Sequence, residues 1–158
     1  MNYADYRFLQ LFCLCALRFA IGWHFLYEGL VKFLDGNWTS YAYLKDAGGF
    51  FAPFYHALAD NPEWLYWCDQ LNIVGLILIG LSLLLGVFVH WSASAGILLL
   101  LLYYLSHIPG ITTDFLMPVS GNHLWIDNQV IEILALGVIY LFPTSHRVGL
   151  ARWVGQTY

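Results

Sequence analysis

Apolar residues occur in long runs along the chain, and polar clusters separate the runs. At about 1.5 Å per helical residue, runs of this length approach or exceed the ~30 Å hydrocarbon core of a bilayer. The pattern predicts four membrane spans, and the spans lie at about residues 9–33, 70–89, 91–108 and 124–142. Short connections make neighbouring helices antiparallel. We therefore expect an all-α, integral membrane four-helix antiparallel bundle, formed as one domain over residues 1–158.

Local signals support some of these boundaries more than others. Asn61-Pro62-Glu63 is typical of a helix start, because Asn caps free amides, Pro suits the first turn and Glu complements the helix dipole. We expect this second helix to run to about residue 90. The fourth span is the weakest prediction, because Asp127 and Glu132 interrupt its first half. A half-buried surface helix is the alternative there.

Composition and charge narrow the class of protein. Of the 158 residues, 60% are hydrophobic and only 10% are charged, which is typical of a chain in lipid and leaves little room for a soluble catalytic domain. The net charge of −4 provides no basic patch, so we exclude a nucleic-acid partner. Cys13, Cys15 and Cys68 form no CxxC, so neither a dithiol redox motif nor a zinc knuckle is predicted.

Basic and aromatic residues orient the spans. Arg7 precedes the first span and Arg147 and Arg152 follow the fourth, so both termini are predicted to be cytoplasmic. Tryptophan prefers the headgroup level. At the predicted outer boundary lie Trp38, Trp64, Trp67 and Trp125, and at the inner one Trp91 and Trp153. The aromatic outer loop 35–70 is expected to form interfacial pieces that cover the bundle.

Ionisable residues inside the spans are the candidates for function, because each costs several kcal/mol unless it is paired or hydrated. His24, Glu28 and Lys32 recur every four residues and form one stripe on the first helix. A charge ladder that satisfies itself is the structural alternative. Arg18 lies deeper and has no acid one turn away, so it must find a partner or extend to the headgroups.

The other spans contribute Asn72, Asp127, Asn128 and Glu132, and the predicted orientation places all of them in the outer half of the bilayer. Counting residues from the outer boundary puts His24 and Glu132 at similar depth, on the order of 10 Å. We predict that these two face each other. An aromatic-walled polar site of this kind suits an amphipathic ring such as a quinone, although such residues also often serve only to join helices. No ligand spacing supports a metal site.

Glycines recur in the first two spans and are most simply points of close helix packing. They are Gly22, Gly29, Gly75, Gly80 and Gly86.

Two motifs carry a resemblance to a known family. They are Arg18-x-x-x-Gly22 with Gly29-x-x-Lys32 in the first span, and Asn72-x-x-Gly75-x-x-x-x-Gly80 in the second. With the acid-bearing fourth span, they resemble the DoxX family over roughly residues 7–150, and within it the members described as the large subunit of a quinone-linked thiosulfate dehydrogenase. The resemblance implies a four-span protein of the bacterial inner membrane that is associated with oxidoreductase complexes.

The leading hypothesis is thus a membrane subunit of a quinone-linked oxidoreductase system, with quinone as the cofactor and no metal, haem or nucleotide signature. Glu28 and Glu132 are the candidate proton-transfer residues. The candidate ligand-binding residues are Arg18, His24, Lys32, Asn72 and Asn128. Besides membrane lipid, a partner protein or a second copy of the chain is expected. The alternative is a non-catalytic membrane scaffold for another protein, so the sequence leaves open whether the chain is an enzyme.

Overall fold

The computed structural model describes residues 8–107, 126–145 and 147–150, which form six helices. These are α1 (Phe8–Asp35), α2 (Tyr41–Lys45), α3 (Ala52–Asp60), α4 (Pro62–Leu85), α5 (Val89–Ser106) and α6 (Asn128–Leu141). The predicted all-α class is confirmed for this part of the chain. Arg7, Trp125, Arg152 and Trp153, which helped to predict the orientation, lie outside the described residues.

Three of the helices, α1, α4 and α5, are long and apolar enough to cross a membrane. The predicted start of α4 is confirmed, because Asn61 Oδ1 accepts the amides of Glu63 and Trp64. Its predicted end near residue 90 is wrong. Gly86 adopts a left-handed conformation with φ of 68° and ends α4 at Leu85. The fourth predicted span corresponds to α6, whose 14 residues extend about 21 Å, less than the hydrocarbon core.

Glycines bring α1 and α4 into near backbone contact. A Cβ atom added at Gly80 would lie 2.5 Å from the backbone nitrogen of Leu26, and one added at Gly22 or Gly29 would lie 3.0 Å or less from α4. Close packing at these three glycines is therefore confirmed. The prediction of close packing is wrong for Gly75, where an added Cβ would meet nothing within 4 Å.

The core forms where α4 packs on α1 and α5 and where α6 packs on α5 and α1. Its buried residues are Phe25, Leu76, Ile79, Leu83, Val89, Ala93, Leu100, Leu136 and Ile139. The outward faces are also apolar: Leu78 in the middle of α4 is 60% exposed, and Leu134 on α6 is 64% exposed. Helices that are hydrophobic all round are typical of a membrane.

The loop between α1 and α4 folds over one end of these helices. We call residues 40–60, which contain α2 and α3, the roof, and the end that they cover the roof end; the opposite end is the Gly86 end. Tyr55 OH donates to Leu102 O at 2.8 Å, and the amide of Gly48 donates to Ser106 O at 2.9 Å. The roof is thus attached to the last two turns of α5, and the prediction that the aromatic loop covers the bundle is confirmed.

Candidate functional site

A hydrogen-bonded group of polar side chains connects α1, α4 and α5 below the roof. Lys32 Nζ donates to Asn72 Oδ1 at 3.2 Å, and Asn72 Nδ2 donates to the hydroxyl of Tyr103. The ammonium of Lys32 also lies 4.8 Å from the ring centroid of Trp38. The amide of Asn72 therefore joins a cation on α1 to a phenol on α5. All of these groups lie at the roof end.

A second polar contact joins α1 to α6. His24 Nε2 lies 3.1 Å from Glu132 Oε1, so the predicted proximity of these two residues is confirmed. The His24 side chain is 51% exposed and that of Glu132 is 20% exposed. Asp127 supports this geometry from the start of α6, where its carboxylate caps the helix by accepting the amide of Val130 at 3.0 Å. Both side chains of the pair are therefore accessible from the outer surface of the helices.

Glu28 lies between these two contacts, one turn from His24 and one turn from Lys32. It is half-buried. The self-satisfied ladder along α1 is not formed, because among the described residues Lys32 and Glu28 make no ion pair within 4.0 Å. Instead, the stripe bonds across to α4 and α6. We call His24, Glu28, Lys32, Asn72, Tyr103 and Glu132 the roof-end cluster.

Two predicted site residues do not join the roof-end cluster. Asn128 is exposed in the first turn of α6 and makes no described hydrogen bond to it. Arg18 is only 1% exposed and lies at the Gly86 end, where a Cβ on Gly86 would lie 3.2 Å from its Nη1 atom. Its guanidinium donates to Thr144 Oγ1 at 2.9 Å and to Val148 O at 2.7 Å. Arg18 thus has hydrogen-bonding partners within the protein.

Tyr43 and Ser106, which the sequence did not mark as site residues, connect the cluster to the roof. Ser106 Oγ donates to Tyr43 OH at 2.9 Å and lies 2.9 Å from His107 Nδ1. Tyr43 also donates to the backbone oxygen of Tyr103 at 3.2 Å, and burial raises the pKa of Tyr43. Their only sequence signal was membership of aromatic-rich segments, which does not distinguish a hydrogen-bonding phenol from an interfacial one.

The roof-end cluster offers hydrogen-bond donors, acceptors and an imidazole–carboxylate pair that can hold and exchange a proton. Within the described ranges, no three His, Cys, Asp or Glu side chains are grouped so that they could hold a metal ion. The exposed parts of His24 and Glu132 present an imidazole and a carboxylate at the surface of the helices.

Comparison with known proteins gives one family. The family model described as DoxX matches residues 13–107, which include most of α1 and all of the roof, α4 and α5. Neither the curated proteins nor the solved structures give a match. The family match does not test the finer resemblance to a thiosulfate dehydrogenase subunit, which stays a prediction.

Proposed function

The chain belongs to the DoxX family, and from this premise we propose that it is the membrane subunit of a quinone-linked oxidoreductase system. In this proposal the roof-end cluster binds the headgroup of a quinone that diffuses in the lipid. The observation that carries the proposal is the His24–Glu132 pair. An imidazole and a carboxylate lie 3.1 Å apart on two apolar helices, where a ligand from the lipid can reach them.

The donor set fits such a headgroup. His24 would donate a hydrogen bond to a ring oxygen, and Glu132 would hold the proton that is exchanged there. Glu28, one turn away, is the second carboxylate for proton transfer. Lys32 and Asn72 provide the polar end of the site and are held in place by Trp38 and Tyr103. When bound, a quinone supplies two-electron, two-proton redox chemistry, and the electron donor in this proposal is a partner protein.

Arg18 and Asn128 have no part in this site. Arg18 lies at the opposite end of the helices, against Gly86 and residues 144–148. Its role in the proposal is to fix the chain after α6, and the roof-end cluster acts without it.

The test measures quinone retained by the full-length chain after mild extraction, by mass spectrometry. Replacing Glu132 with Gln or His24 with Ala removes a hydrogen-bonding partner and is expected to lower retained quinone about tenfold, equivalent to about 1.4 kcal/mol. The matched control is Asp60→Asn in the roof, which breaks the exposed Lys45–Asp60 ion pair at 2.5 Å and leaves the cluster unchanged. Wild-type protein that retains no quinone, or equal retention in all variants, contradicts the proposal.

A second candidate function is favoured by the exposed aromatic surface beside the roof. Phe50 is 85% exposed, and Phe54, Trp64 and Trp67 are each more than half exposed. Such a surface suits a scaffold that docks a partner protein or a second copy of the chain. Chemical cross-linking in native membranes distinguishes the two functions, because Phe50→Ser should remove a cross-linked partner without lowering retained quinone.

We further propose that α6 completes a fourth crossing and that the termini are cytoplasmic, in a bacterial inner membrane. The exposed side chain of Arg147 at the Gly86 end supports this orientation under the positive-inside rule. In a variant without native cysteines, a membrane-impermeant maleimide should label Cys introduced at Asp60 in intact cells and should not label Cys introduced at Arg147. The reverse pattern would invert the orientation.

A further inference from the structure

A groove lies between α5 and α6 at the Gly86 end, far from the roof-end cluster. It is an open groove with a volume of about 340 Å³, lined by His90, Trp91, Ser94 and Tyr140. Trp91 and Ser94 are three residues apart in the first turns of α5 and so share one face of the helix. Tyr140 faces them from the last turn of α6. The proposed function uses none of these residues.

The groove has the size and the access of a site for a ligand from the lipid. Its volume falls within the range of about 300–1,000 Å³ that small-molecule sites occupy. Trp91 is 73% exposed and Tyr140 is 43% exposed, so the groove opens sideways between the helices. Because these helices are surrounded by lipid, a ligand enters from the bilayer. The indole of Trp91 places the opening near the headgroup level.

The lining chemistry selects the kind of headgroup. The rings of His90 and Tyr140 lie edge to face with centroids 5.2 Å apart, and a planar ligand can pack against such walls. The indole N–H, the Ser94 hydroxyl and the Tyr140 phenol can each donate a hydrogen bond to a carbonyl oxygen. Among the residues that the structure describes, the lining contains no Asp, Glu, Lys or Arg. Anionic lipid phosphates are recognised by Lys and Arg, so this lining favours an uncharged ligand.

We infer that this groove is a second binding site, which takes the neutral planar ring of a lipid-soluble molecule that carries carbonyl oxygens. Trp91, His90 and Tyr140 form the aromatic walls, and Ser94 also lines the groove. The inference does not rest on the proposed function, because the two sites share no residue and lie at opposite ends of the helices.

The experiment uses the full chain in phosphatidylcholine nanodiscs and a benzoquinone with a short photoreactive tail, with labelled peptides mapped by mass spectrometry. Label is expected on residues 90–94 or on Tyr140. Ser94→Trp fills the groove and should lower this label about tenfold. The matched control is Ala95→Trp, which adds the same side chain at an exposed neighbouring position that does not line the groove. Circular dichroism verifies that both variants keep their helices.

Each result distinguishes this inference from the proposed function. Groove label that Ser94→Trp removes, and that Ala95→Trp and Glu132→Gln leave unchanged, supports the second site. It does so even if the peptides with His24 and Glu132 carry no label, in which case only the proposed function fails. Absence of groove label, equal loss in both Trp variants, or loss in Glu132→Gln overturns the inference. Equal labelling by a photoreactive phosphatidylglycerol overturns the preference for a neutral ring.

Discussion

The close approach of α1 and α4 leads to a sharp prediction about two glycines of the same helix. A Cβ atom at Gly80 would lie 2.5 Å from the backbone nitrogen of Leu26 and 2.8 Å from the backbone oxygen of Gly22. A Cβ atom at Gly75 would meet nothing within 4 Å. We therefore expect Gly80→Ala to destabilise the protein and Gly75→Ala to leave it as stable or make it more stable.

The magnitude follows from comparing the two variants. Each alanine gains about the same helix propensity over glycine, roughly 1 kcal/mol, so this contribution cancels in the difference. What remains is the steric cost at Gly80. The shortest distance is about 0.9 Å below ordinary van der Waals contact, and the three nearest atoms all belong to backbone that cannot rotate away. Overpacking of this kind costs about 1–3 kcal/mol, which is the expected difference between the variants.

The assay is equilibrium unfolding in mixed micelles of a mild detergent with dodecyl sulfate, followed by circular dichroism. Both variants carry the same single substitution in the same helix, so their difference reports the α1–α4 contact. Wider separation of the helices at Gly80 should also weaken the hydrogen bond of Lys32 to Asn72 and reduce ligand retention at the roof-end cluster. Equal stability of Gly80→Ala and Gly75→Ala would refute the described packing.

Three further predictions concern Arg18, Asp127 and Tyr43. Arg18→Met removes two charge-assisted hydrogen bonds worth about 1.5–3 kcal/mol each. The backbone amides of residues 144–150 should therefore exchange hydrogen faster in this variant. Unchanged exchange would contradict the described contacts of Arg18. Asp127→Ala removes the cap of α6 and should cost about 1 kcal/mol, with faster exchange confined to its first turn; Asp127→Asn, which can still cap, is the control. Burial raises the pKa of Tyr43, so its contribution to roof stability is complete below pH of about 10 and is lost as the pH rises through its higher folded-state pKa. Tryptophan fluorescence should show this alkaline step, and its persistence in Tyr43→Phe would assign it to another group.

The roof-end cluster could be predicted from the sequence only in part. Counting residues from the predicted boundary was sufficient to place His24 opposite Glu132, because helices have a fixed rise and antiparallel spans share one depth scale. The bond of Lys32 to Asn72, rather than an ion pair with Glu28, depends on how α1 is rotated against α4. That rotation is set by the glycine contacts, which the sequence does not quantify.

The environment of Arg18 could also be predicted from the sequence only in part. The sequence of the chain established that Arg18, a cation with no nearby acid, must find a partner. Its partners, Thr144 and the carbonyl of Val148, lie 126 and 130 residues away, and neither is charged. No charge pattern marks such acceptors in a sequence, so only the folded chain shows that Arg18 belongs to the Gly86 end.

By itself, the sequence determined the all-helical membrane class, the three long spans and the cap at Asn61, because hydropathy and capping act over neighbouring residues. The tertiary structure decided what depends on distance between helices: that Gly80 is tightly packed whereas Gly75 is open, and that Arg18 and Glu132 lie at different ends. It also placed Trp91 and Tyr140 around one groove. Side chains far apart in the chain meet only once helix rotation and packing are fixed, and these follow from the whole set of contacts.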